Sequence, residues 1–230
     1  MAKSAVSCSH DNTRVVYFHH VGKKIDHYTS ISTGDFCKAL DLLMEAASIV
    51  DIREYISGKP CERRQVIITL DDGYAETIES VMQPLSDRGI TACFFVVPSW
   101  FGHRAPHSWA PDRLVCADAS TLRDVQADGH AIASHTWSHR HLDQLSELES
   151  ENEIALAANA LREQGLGTDT TGLIAYPYGM PPISASNIRA GFCTSKGPNH
   201  CLRCSPAHIR RLFLHSANQS DWKQTIESWW

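Results

Sequence analysis

The amino-acid sequence predicts an α/β fold with mostly parallel strands, on three observations. Short β-branched apolar runs alternate with segments of helical period. Three polar motifs, around Asp71, His135 and Tyr178, fall just after such runs, and chemistry in α/β folds collects at the carboxyl ends of strands. The 230 residues are 43 % hydrophobic and 20 % charged, enough apolar matter for a sizeable core and too balanced for disorder. No repeat, low-complexity tract or Pro/Gly/Ser linker divides the chain, so residues 1–230 read as one domain.

Val15–His19 opens as a strand. Asp35–Ala47 carries Phe36, Leu40, Leu43, Met44 and Ala47 at helical spacing, with Asp35 in the first turn where a carboxylate favours the helix dipole. Val66–Leu70 is a buried strand running into Asp71-Asp72-Gly73, and the glycine permits a tight exit. Glu76–Arg88 is helical up to a stop at Gly89, with a kink expected at Pro84. Ala92–Val97 is a strand closed by Pro98. Ser99–Ala119 reads as a long irregular stretch holding Trp100, Phe101 and Trp109. Ser120–Asp128 is a short helix with Ser120 as its N-cap. Strand His130–Ser134, amphipathic helix Glu147–Gln164 ended by Gly165, and strand Leu173–Tyr176 follow. Ile209–Leu214 alternates as a last strand and Asp221–Trp229 as a last helix, leaving Trp229-Trp230 to dock on the body, meet a partner or mark a cut end.

Several classes are excluded early. Lys+Arg 21 against Asp+Glu 26 gives a net charge of −5, which argues against nucleic acid as a partner. No apolar run reaches membrane-spanning length, so no integral membrane segment is expected. The opening residues have no apolar signal-peptide core, so a cytoplasmic location is expected. The eight cysteines are then read as free thiols rather than a disulfide framework. Cys201-x-x-Cys204 follows Cys193 and His200, but no second C-x-x-C accompanies it to complete a structural zinc site.

Asp71-Asp72 is the chain's one adjacent acidic pair. Two neighbouring carboxylates after a buried strand repel one another unless a cation neutralises one, although a solvated helix-capping turn reads equally well from this motif alone. His135 and His139 stand at i and i+4, so both imidazoles can reach one ion from a helix or turn. With thirteen histidines about 0.7 such pairs arise by composition alone. His103 and His107 repeat the spacing in an irregular stretch around Pro106 and read as surface or substrate-loop residues. In Tyr176-Pro177-Tyr178-Gly179 the Pro and Gly set a turn able to aim a backbone N–H into a cleft.

In this order, on alternating strands, the three motifs resemble the NodB-homology polysaccharide deacetylases, a carbohydrate esterase family whose motifs read T-F-D-D-G, H-[ST]-x-x-H and R-x-P-Y. Further segments resemble the family's Y-H-x-V subgroup: Tyr17-Phe18-His19-His20-Val21, Ile90–Val96, Leu142-Asp143-Gln144-Leu145-Ser146 and Arg189-Ala190-Gly191-Phe192. The likeness runs over roughly residues 14–216.

The resemblance implies a distorted, incomplete (β/α) barrel with its site at the strand carboxyl ends. It implies that Asp72, His135 and His139 bind a divalent ion, Zn²⁺ first, with Co²⁺ or Ni²⁺ as alternatives. Asp71 then matches the catalytic base and the Tyr178 N–H an oxyanion donor, in hydrolysis of an N-acetyl group on a saccharide or sugar conjugate. Two positions depart from the pattern. Ala175 stands where the family has the arginine that orients the base, and Arg211 is expected to replace it by pairing with Asp71. Leu214-His215 is nearest to the family's L-x-H general acid, with His19 as the alternative. Trp100, Trp109 and Tyr178 are the candidate substrate contacts. Two other readings stay open: a same-scaffold hydrolase of a cyclic ureide, imide or formamide, and a non-catalytic saccharide-binding relative. The oligomeric state is not legible.

Overall fold

A computed structural model describes residues 12–57, 63–184, 188–194, 206–214 and 220–230. The strands are β1 (Thr13–Phe18), β2 (His20–Val21), β3 (Ser30–Ile31), β4 (Ser48–Ile49), β5 (Gln65–Asp72), β6 (Cys93–Val96), β7 (Ala131–Ser134), β8 (Leu173–Ala175), β9 (Ala190–Cys193) and β10 (Ile209–Phe213). The helices are α1 (Thr33–Ala46), α2 (Ile52–Ile56), α3 (Ala75–Asp87), α4 (Ala119–Ala127), α5 (Glu147–Glu163) and α6 (Trp222–Glu227).

The ring runs β1-β10-β9-β8-β7-β6-β5 and closes by β1 pairing with β5 from Thr13↔Gln65 to Phe18↔Leu70. Every pairing in this sheet is parallel, and β4 adds to the start of β5. Seven strands rather than eight make the ring, the incomplete barrel that the resemblance implied. β2 and β3 pair separately, at the neck of a strap over residues 22–29.

Strand period 2 divides the apolar residues between two cores. Val16, Ile68, Phe94 and Ile132 face the helices. Val15, Ile67, Phe95, Ala133, Ala175 and Ile209 fill the barrel interior. The same alternation carries Thr69 and Asp71 inward with Ile67, and Arg211 inward with Ile209. Opposite charges thus enter the lumen from two strands.

Local signals explain most helix limits. Ser32 caps α1 by accepting from the Asp35 N–H at 3.1 Å, which starts that helix two residues before Asp35. Ser146 and Glu149 form a reciprocal capping box on α5. On α4 the cap is Asp118 and not Ser120, because the Asp118 carboxylate accepts from the Thr121 N–H at 2.8 Å. Pro84 lies inside α3, which continues past it to Asp87. The short elements β2, β3, β4 and α2, and strand β9, went unassigned from sequence; runs of two to five residues are too brief to show a period. The chain end docks on the body: the Arg14 guanidinium lies 4.5 Å from the Trp230 ring and its Nε donates to the Trp229 carbonyl at 2.8 Å. Cys37, Cys93 and Cys116 are free thiols, the Cys193 thiol donates to the Ile209 carbonyl at 3.4 Å, and Cys201 and Cys204 fall outside the described residues. Among the described residues no helix is long and apolar enough to cross a membrane.

Candidate active site

The carboxyl ends of the ring open onto a cavity of about 290 Å³ lined by Asp71, Asp72, His135, His139, Tyr178 and Arg211, among others. β5 pairs with β6 through Asp71↔Phe95 and Asp72↔Val96, so both acids belong to the strand rather than to the turn after it. Arg211 grips Asp71 with two hydrogen bonds, Nη1 to Oδ1 at 2.6 Å and Nη2 to Oδ2 at 2.7 Å. Both side chains are 1 % exposed. The guanidinium lies 4.7 Å from the Tyr17 ring and 5.6 Å from that of Phe95. Burial alone pushes the Asp71 carboxyl up, but the Arg211 charge, with nearby imidazoles and the hydrogen bonds, holds it below the ordinary carboxylate range. Asp71 is therefore an ionised carboxylate in a nearly dry setting. The pairing expected of Arg211 with Asp71 is present.

Asp72 would point outward by period 2, but a left-handed backbone at φ 70° turns it toward the cavity. Its Oδ2 accepts from the buried Tyr74 hydroxyl at 2.7 Å. Its Oδ1 is buried with no hydrogen-bond partner and lies 3.5 Å from Nε2 of both His135 and His139. One donor atom from each of the three residues falls within 4.8 Å of the others. His135 Nδ1–H donates to the Ala175 carbonyl at 2.7 Å, which turns the Nε2 lone pair inward. Burial, then repulsion from His135, lower His139 to about 3 against the pull of Asp72, so its imidazole is neutral. An orphaned carboxylate oxygen facing two imidazoles is the donor set of a divalent cation, and these residues fit one.

The histidine pair does not ride on a helix. His135–His139 is an irregular turn with Thr136 at φ 67° and His139 at φ 61°. It is anchored by the His135 N–H on the Val96 carbonyl at 2.8 Å and by the His139 N–H on Thr136 Oγ1 at 3.2 Å.

The aromatic candidates divide. Trp100 is 7 % exposed, packs on His139 at 5.1 Å and His107 at 5.2 Å, and is not among the residues that line the cavity. Trp109 lines the cavity, but two nearly parallel imidazoles already stack on it, His27 at 4.2 Å and His107 at 5.2 Å. Tyr178 is 53 % exposed at φ 58°, with one stacking contact to His141 at 3.6 Å.

Sequence reading missed Tyr17, His27, Tyr28 and Phe213, which also line the cavity. They come from the strap and from strand ends distant in sequence, and only Tyr17 falls in a segment that carries the resemblance. Of the pair read as surface or substrate-loop residues, His107 lines the cavity and His103 is exposed. His19 stands with Nε2 3.9 Å from Asp71 Oδ2 and Nδ1 buried without a hydrogen bond, and burial lowers its pKa. His215 lies outside the described residues.

Comparisons with known proteins agree with this geometry. Residues 58–190 match the family model described as polysaccharide deacetylase, over half of the chain. YxkH of Bacillus subtilis (strain 168), provisionally named a polysaccharide deacetylase, is 28 % identical over 125 residues, 53 % of this chain. That match spans 39 % of the relative's length. IcaB from Ammonifex degensii superposes with a TM-score of 0.76 at 20 % identity, over 94 % of this chain and 96 % of that one. The Streptococcus pyogenes deacetylase PplD, solved with acetate, gives 0.75 at 16 % identity over 93 % and 97 %. These two likenesses establish the barrel.

Proposed function

The chain belongs to the polysaccharide deacetylase family, and from that premise we propose a divalent-metal-dependent hydrolase that removes N-acetyl groups from an amino-sugar-containing saccharide. The observation that carries this reading is the division of labour between adjacent acids. Asp72 offers a bare oxygen to two imidazoles, while Asp71 is held ionised by Arg211. A pure binder needs no such base.

Asp72, His135 and His139 would hold the ion, with Zn²⁺ the best match to one carboxylate and two imidazoles. Bound there, it would supply an acidified water and polarise the acetyl carbonyl. Asp71 takes the proton as the water oxygen adds to the carbonyl carbon. Arg211 keeps that carboxylate charged and fixes its plane. The Tyr178 backbone N–H, on its left-handed turn, donates to the oxyanion of the tetrahedral intermediate. When the C–N bond breaks, the proton taken by Asp71 returns to the amine, directly or through His19, and acetate leaves. Tyr28 and Tyr178, both more than half exposed, offer their rings to the sugar.

Acetate release from N-acetylglucosamine oligomers tests the reading. It is expected to stop with a strong chelator and to stop in Asp71→Asn. Release that survives both treatments overturns it, and turnover confined to N-formyl or cyclic amide substrates moves the activity off saccharides.

A further inference from the structure

α5 buries one face, Ser150, Glu153, Ile154, Ala157 and Leu161, and a carboxylate in that stripe is out of place unless it is fully bonded. Glu153 is 6 % exposed, and both its oxygens are spent on the turn between the two histidines. Oε2 accepts from the Ser138 N–H at 2.9 Å and Oε1 from the Ser138 hydroxyl at 2.7 Å. Its backbone carbonyl accepts from the Trp137 N–H at 3.1 Å. The turn needs such a hold. It carries two left-handed residues, one of them the β-branched Thr136, a conformation that persists only where surroundings impose it.

We propose that Glu153 is a positioning residue for the cation site, clamping Ser138 so that His139 is delivered against Asp72 Oδ1. This rests on the metal-dependent reading above. Without the clamp two donors of the turn lose their partners and the turn relaxes toward ordinary backbone angles. His139 then leaves the triad while His135, tied by Nδ1 to the Ala175 carbonyl, remains.

The experiment measures Zn²⁺ affinity by chelator competition in wild type, Glu153→Ala, Glu153→Gln and Ser138→Ala. The unfolding midpoint of the metal-free forms and acetate release against Zn²⁺ concentration are recorded in parallel. Glu153→Ala is expected to weaken Zn²⁺ binding by about 10- to 100-fold, the range for residues that orient metal ligands. Excess Zn²⁺ should bring acetate release back toward wild type. Glu153→Gln keeps one acceptor and Ser138→Ala loses one bond, so both should fall between; they read the same clamp if Glu153→Ala does not fold. Unchanged Zn²⁺ affinity in the folded variants, with a lower metal-free midpoint, overturns the proposal and leaves the metal reading standing. A wild-type protein that binds no Zn²⁺, Co²⁺ or Ni²⁺ removes both.

Discussion

The two ends of the barrel solve the same problem, turning the chain between strand and helix, by different means. At the amino ends of the strands the turns use glycine: Gly89 after α3, Gly129 after α4, and Gly165, Gly167 and Gly172 after α5, all at positive φ. Glycine adopts that conformation without steric cost. At the carboxyl ends the left-handed positions include Asp72, Thr136, His139 and Tyr178, and among the described residues no other non-glycine has positive φ. Each costs roughly 1–2 kcal/mol relative to an ordinary conformation. Three of them line the cavity, and Thr136 is the turn between two candidate ligands. One end is built for stability, the other holds side chains where relaxed backbone would not carry them.

That contrast can be broken most forcefully at the Asp71–Arg211 pair. Arg211→Met strands a buried carboxylate, which should cost about 3–5 kcal/mol in denaturant unfolding. The unpaired acid then protonates more readily, so acetate release should fall by about 10²- to 10⁴-fold, the usual worth of a positioned base. Arg211→Lys should not restore it, since one ammonium cannot reproduce two parallel bonds. A variant as stable as wild type would show that the buried Asp71 carboxylate does not depend on its partner.

A smaller effect sharpens the comparison through the Tyr74 hydroxyl, which bonds Asp72 Oδ2. Tyr74→Phe leaves that oxygen free to swing, and Zn²⁺ affinity is expected to drop by about tenfold or more, roughly 1.4 kcal/mol at least. Calorimetric titration with Zn²⁺ measures it, and equal affinity in the two proteins would remove Tyr74 from the site. The smallest effect belongs to the opposite end. Gly89 has φ 62° and open space where a Cβ would stand. Gly89→Ala therefore meets only the backbone penalty, about 1 kcal/mol of stability, with acetate release unchanged. Altered turnover in that variant would mean that the two ends are not separable.

Much of the candidate site was legible before folding. Asp71-Asp72-Gly73, His135 with His139, and Pro177-Tyr178-Gly179 each stand at the end of a strand marked by β-branched residues, and strand ends are local signals. Helix α3 and the amphipathic α5 were visible from their period and from the glycines that stop them. The aromatic wall was not. Trp100 and Trp109 carry the composition of a sugar platform, yet one is buried against His139 and the other is already stacked by two imidazoles. Glu153 left a faint trace, an acid in an apolar stripe, whose meaning depended on what packs against it.

By itself, then, the chain's order of residues determined the alternation of strands and helices, the inward parity of Asp71 and Arg211, and the identities of the groups able to hold a cation. These depend on neighbours a few residues apart, through period, capping and turn chemistry. Only the closed ring decided that Arg211 meets Asp71 across 140 positions, that Asp72 Oδ1 faces two histidines, and which aromatic rings touch the cavity. Those outcomes follow from strand register and barrel closure, which sum weak contacts over the whole molecule and leave no mark at any single position.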